Sequence, residues 1–228
     1  MKKTMINTAL ALAFGVVAVS AQAATFNTGD NLSINAGTID SYTGFVNGGS
    51  WFAMDNDGNS KVGVAEKTAV TMGSTGIVIG STQAPGQIDN WSFFGAPGQH
   101  YTTAAITGGT AGVSMSGWTV FWNGLNIPMT TNAWTPLNAV AAGMQAGPYT
   151  NSVGMLLWDG VYGNAYTLDY TATVPTGDPS GMGGVKYGLH LTGTVSAPAA
   201  VPVPAAAWLL GSGLLGLVGV ARRRKQEA

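Results

Sequence analysis

The chain has 228 residues, with no cysteine, 34 glycines and only 8% charged residues. Six of its nine basic residues, Lys2, Lys3, Arg222, Arg223, Arg224 and Lys225, crowd the two ends, so the body between them carries nine acids against Lys61, Lys67 and Lys186, a net charge of −6. Such a body cannot neutralise a phosphate backbone, which excludes nucleic acid as a partner, and the absence of cysteine excludes disulfides and thiol catalysis.

Residues 1–23 read as a secretory signal peptide. Lys2 and Lys3 form its positive region, Ala9 to Val19 its apolar run, and Ala21-Gln22-Ala23 an A-x-A cleavage site. The apolar run is shorter than the roughly 20 residues that span a bilayer. The expected body, residues 24–195, shows no long helical period free of glycine. Short apolar runs at Gly76–Gly80, Val113–Trp122 and Ser152–Trp158 predict strands. From Tyr166 to Val174 every even position is apolar or aromatic and every odd one is Thr or Asp. From Val185 to Leu191 the odd positions are apolar and the even ones are Lys, Gly and His. Both patterns predict half-buried strands, and Pro175–Gly184 between them is rich in turn residues, so the pair predicts a long-looped antiparallel hairpin. Many short strands joined by Gly-, Asn-, Thr- and Pro-rich segments predict an all-β fold, a single antiparallel β-sandwich or jelly roll; no fixed repeat period suggests a solenoid.

Residues 196–204 form a Pro/Ala linker. The 17 uncharged residues Ala205–Ala221 would reach about 25 Å as a transmembrane helix. The basic cluster in residues 222–228 should stay cytoplasmic by the positive-inside rule. Val201-Pro202-Val203-Pro204, the apolar span and Arg222-Arg223-Arg224, in that order at the C-terminus, closely resemble the PEP-CTERM sorting signal in its VPLPA-type variant, with Val203 where that variant usually has Leu. The resemblance covers about 25 residues. It implies an exported protein of a Gram-negative envelope whose tail is recognised by an exosortase-type processing protease, in a setting rich in exopolysaccharide. The body is then held in the periplasm on an inner-membrane anchor before reaching the cell surface or extracellular matrix. It implies nothing about what the body does.

Within the body, Asp55 to Glu66 has the spacing of a calcium loop. Such loops place oxygen ligands at positions 1, 3, 5 and 12 and a backbone carbonyl at 7, which here are Asp55, Asp57, Asn59, Glu66 and the carbonyl of Lys61. Alternate short carboxylates and amides wrap a hard cation, and the last Glu closes it. Two features depart from the pattern: position 6 is Ser60 rather than Gly, and neither flank reads as a helix. The same residues also form a polar turn unaided, so calcium and a plain turn are both open readings.

Trp51, Trp91, Trp118, Trp122, Trp134 and Trp158, with Tyr101, Tyr162 and Tyr187, offer either a sugar-stacking platform or core packing. For catalysis the signals are thin. His190 is expected to face solvent from its strand and His100 to lie in a loop, and no G-x-S-x-G elbow occurs. Asp89, Asp159 and Asp169 are carboxylates that a hydrolase could pair. The sequence therefore predicts no enzyme, but an exported protein with a structural or interaction role at the surface. A calcium-dependent carbohydrate-binding module comes second and a secreted hydrolase third, with extracellular polysaccharide, the membrane and the processing protease as partners.

Overall fold

The computed structural model describes residues 26–109, 112–199 and 212. The signal-cleavage residues Ala21 and Ala23, the sorting residues Val201, Pro202, Val203 and Pro204, nearly all of the 205–221 span and Arg222, Arg223 and Arg224 lie outside the described residues. Among the described residues no helix is long and apolar enough to cross a membrane.

Regular structure among the described residues is almost entirely strand. It opens with β1 (Asn31–Leu32), β2 (Thr38–Ile39), β3 (Val46–Gly48) and β4 (Trp51–Asp55), followed by a 3-10 turn at Val64–Glu66. Next come β5 (Lys67–Ala69), β6 (Thr71–Met72), β7 (Ile77–Val78), β8 (Asp89–Phe93) and β9 (Ala96–Thr102). Then follow β10 (Gly108–Gly109), β11 (Gly112–Ser114), β12 (Trp118–Trp122), β13 (Leu125–Pro128) and a one-turn helix, α1 (Ala139–Ala142). The last three strands are β14 (Val153–Leu157), β15 (Ala165–Thr173) and β16 (Lys186–Ser196).

These strands form a nine-stranded sheet, ordered β10-β11-β14-β15-β16-β1-β7 with β4 and β5 branching from β16, a five-stranded sheet ordered β13-β12-β9-β8-β6, and the β2–β3 ribbon. Every pairing among them is antiparallel. The all-β expectation stands. So does the hairpin: β15 pairs with β16 from Ala165↔Thr194 to Thr173↔Lys186.

The two larger sheets share a core. Phe52, Leu168, Tyr170 and Leu189 of the first pack in one cluster with Trp91, Trp118, Val120 and Ile127 of the second. The rings of Phe52 and Trp91 meet edge to face at 4.6 Å between centroids, a favoured aromatic geometry.

The hairpin strands are not half-buried. Their polar faces lie under a second cluster that includes Trp51, Ala53, Val62, Ala139, Ala142, Met144 and Tyr149. The Trp134 N–H donates to Thr171 Oγ1, and that hydroxyl donates back to the Trp134 carbonyl at 2.7 Å. The Gln145 N–H donates to Asp169 Oδ2 at 2.9 Å. Alternation predicted a wet face, but hydrogen bonds to the covering segment let a polar face be buried.

The expected strand Val113–Trp122 is two strands in different sheets. Trp118 N–H bonds back to the Met115 carbonyl and closes a turn. Gly117 in that turn lies so close to the Ala104 backbone that a Cβ would fall 2.1 Å from its nitrogen. β16 also runs on through the expected end of its strand to Ser196, the first residue of the expected linker, where it pairs with Asn31.

Candidate functional site

Strand β4 is buried along its length and ends at Asp55, whose carboxylate is therefore held inside; the residue is 5% exposed. The chain then leaves the sheet and winds through residues 56–63 before the 3-10 turn at Val64–Glu66 brings the last carboxylate back. One carboxylate oxygen from each of Asp55, Asp57 and Glu66 lies within 4.8 Å of the others. Three of the five expected ligand residues are thus gathered by their side chains at one point.

The remaining geometry follows the ligand spacing. Asp55 Oδ2 accepts the Ser60 N–H at 3.0 Å. Asp57 Oδ1 accepts the Asn59 N–H at 3.0 Å, and Asn59 Oδ1 accepts the Lys61 N–H at 2.7 Å. Each short side chain thereby bends the backbone around itself. Glu66 closes the ring, accepting the Asn56 N–H at 2.9 Å and the Gly63 N–H at 2.7 Å.

Ser60, where a calcium loop favours Gly for its sharp turn, sits at φ +61°. It therefore adopts the left-handed conformation a glycine would supply, at the steric cost of a side chain there. The departure at this position is one of residue type and not of backbone. The flanks do lack helices, as expected: strand β4 leads in and strand β5 leads out, and the 3-10 turn lies inside the loop.

The telling atom is Asp55 Oδ1. Among the described residues it is the only buried side-chain nitrogen or oxygen with no hydrogen-bonding atom within reach. An unpartnered buried polar atom costs about 1–3 kcal/mol, and that cost is removed when the atom binds a ligand. With Asp57, Asn59, Glu66 and the Lys61 carbonyl, the donor set that the loop offers is all oxygen and carries three carboxylates, which fits a hard divalent cation, calcium above transition metals.

The loop is clamped to the rest of the molecule by Asn138. Its Oδ1 accepts the Val62 N–H at 2.8 Å and its Nδ2 donates to the Val62 carbonyl at 2.9 Å. The neighbouring Leu137 N–H donates to the Ser60 carbonyl at 2.9 Å. Asn138, which sequence reasoning missed, joins the loop to α1 across 76 residues of chain.

Both histidines are placed otherwise than expected. His100 lies on β9, fully buried, with Nδ1 2.6 Å from Asp89 Oδ2 and Nε2 2.8 Å from the Tyr187 hydroxyl. Trp91 Nε1 also approaches Nδ1, at 3.2 Å. A ring nitrogen cannot donate to a carboxylate and accept from an indole at once; the shorter contact decides for Asp89. Nδ1 then carries the proton and Tyr187 donates to Nε2. Burial holds the Tyr187 hydroxyl well above its ordinary pKa, so it remains a donor.

His190 does not face solvent. It stacks on Trp51 at 5.2 Å between centroids and bonds Asp169 Oδ1 at 2.7 Å. The covering segment described above hides the strand face on which it sits. Asp159 is exposed and bonded to Asn164 Nδ2 at 2.6 Å. The three carboxylates considered for hydrolysis thus have three different partners, and no pair of them bonds a common group.

The tryptophans mostly serve packing. Trp51, Trp91, Trp118 and Trp158 are buried and Trp122 and Trp134 are partly buried, while Tyr187 is buried and Tyr162 exposed. Aromatic burial in these two cores accounts for residues that a sugar platform would need at the surface. Compared with known proteins, the chain matches no family model, no curated protein and no solved structure.

Proposed function

We propose that this chain is an exported surface protein whose body is a β-sandwich carrying one calcium-binding loop, Asp55–Glu66. In this reading calcium orders the loop and, through Asn138, the α1 segment, and the body serves a structural or interaction role. The signal peptide at 1–23 and the PEP-CTERM-like tail at 201–225 support export, membrane anchoring and processing by an exosortase-type protease. One observation carries the calcium reading: the unpartnered Oδ1 of buried Asp55, a residue whose carboxylate gathers with those of Asp57 and Glu66.

The test is a calcium titration of the purified full chain by calorimetry and thermal melting. The expected result is a dissociation constant of about 1 mM or below, the range of extracellular calcium modules, with a rise in Tm that Asp55→Ala abolishes. No heat and no stabilisation at about ten times that concentration would leave Asp55–Glu66 an ordinary polar turn.

A further inference from the structure

The register of the sheet sets Lys186, the first residue of β16, directly across from Asp55, the last of β4. Its ammonium lies 4.0 Å from Asp55 Oδ2 and donates to Ser60 Oγ. The same ammonium stands 5.4 Å from the centre of the Trp134 ring. The body has only two other lysines. Lys67 is committed elsewhere, donating to the Ala142 carbonyl at 2.7 Å and lying over Trp51 at 4.1 Å. The third, Lys61, is exposed and is wanted in the loop for its carbonyl.

From this arrangement we infer that Lys186 is a built-in competitor of the calcium ion, a tethered monovalent cation that holds Asp55 when calcium is low and sets the affinity of the site. The inference rests on the calcium reading above. Asp55 divides its two oxygens: Oδ2 faces Ser60 and Lys186, and Oδ1 is left for the metal. A divalent ion on Oδ1 repels the ammonium at Oδ2, because the carboxylate is small and the strand end holds both groups close. The ammonium has an alternative place at hand, the face of Trp134, where a cation is attracted by the ring. Calcium binding therefore drives Lys186 from the carboxylate towards the indole, and the repulsion lowers affinity. The design suits a surface protein that meets calcium at high concentration, since it leaves the loop loaded outside the cell and unloaded where calcium is scarce.

The experiment compares calcium titrations of the full chain and of Lys186→Met, which keeps the aliphatic stem. Tryptophan fluorescence is recorded alongside, with Trp134→Phe as the reference that isolates that ring. The variant is expected to bind calcium about tenfold more tightly, equivalent to about 1.4 kcal/mol, and the natural chain alone to show a calcium-dependent change in Trp134 emission. Lys186→Gln should behave as Lys186→Met does, which guards against a packing effect of one substitution. Equal affinities in all three proteins, or weaker binding in both variants, would overturn the competitor role while leaving the calcium site standing. Absence of binding in all three would overturn the calcium reading and this inference with it.

Discussion

Tyr187→Phe tests whether the buried polar chain between the two sheets is a satisfied network. The Tyr187 hydroxyl donates to His100 Nε2 at 2.8 Å and accepts from Trp118 Nε1 at 3.4 Å, and all three side chains are buried. Deleting one oxygen leaves the imidazole nitrogen and the indole N–H without partners, in a space too tightly packed with Phe52 and Trp118 to repack freely. A buried group stripped of its partner costs about 1–3 kcal/mol; the long indole contact contributes least, so about 2 kcal/mol is expected. With a urea m-value of about 2 kcal/mol/M, the midpoint should fall by about 1 M at unchanged m. Tyr101→Phe is the control. That hydroxyl donates to Asn126 Oδ1 at 3.1 Å at the surface, where water replaces the lost bond, so the midpoint should move by no more than about a quarter of that amount. Equal shifts for the two substitutions would refute the reasoning, because burial is what separates the two hydroxyls.

Three further outcomes follow from the same geometry. Asn138→Ala removes both bonds to the Val62 backbone and should cost about 2 kcal/mol, read by urea unfolding, and should weaken calcium binding because the loop is no longer clamped. Ser60→Gly relieves the left-handed backbone and should leave calcium affinity unchanged or improved by calorimetry, whereas Ser60→Val at the same φ should lower stability by about 1–2 kcal/mol. Gly193→Ala places a Cβ 1.8 Å from the Ser33 carbonyl oxygen; it must push β1 away from β16 and should cost about 3 kcal/mol, seen as a fall in Tm.

The β15–β16 hairpin was legible because a period of two survives whatever lies on either face. What covers each face was not. Asp169, Thr171 and His190 read as solvent-facing because polarity is the usual mark of water, yet here Trp134 and Gln145 of a distant stretch of chain bond Thr171 and Asp169, and His190 bonds Asp169 on the neighbouring strand. His100 was hidden by Pro97 and Gly98, which look like a loop; Gly98 is in a strand because the Trp91 ring fills the place of a side chain, 2.0 Å from where its Cβ would be. The spacing Asp89-x-Trp91 against His100-x-Thr102 was the available signal, two short strands with like residues on one face. For the proposed calcium loop, spacing alone gathered Asp55, Asp57 and Glu66. It could not show that Ser60 takes up a glycine-like φ, or that Lys186 faces Asp55, since register is fixed by pairing along the whole of β16.

β16 also decides how the body carries load. Its first residue lies beside the Asp55 loop, and its last, Ser196, pairs with Asn31 of β1, so the chain enters and leaves the described fold at one end and the loop sits at the other. A pull applied between the loop and Ser196 runs along the eleven residues of β16. Its hydrogen bonds to β15 and β4 lie across that direction, so they must shear together instead of opening one by one. Tension applied at Asn31 and Ser196 would peel the same sheet from its short β1 edge. The fold is thus mechanically strong along one axis and weak along another, and the strong axis is the one that joins the loop to Ser196.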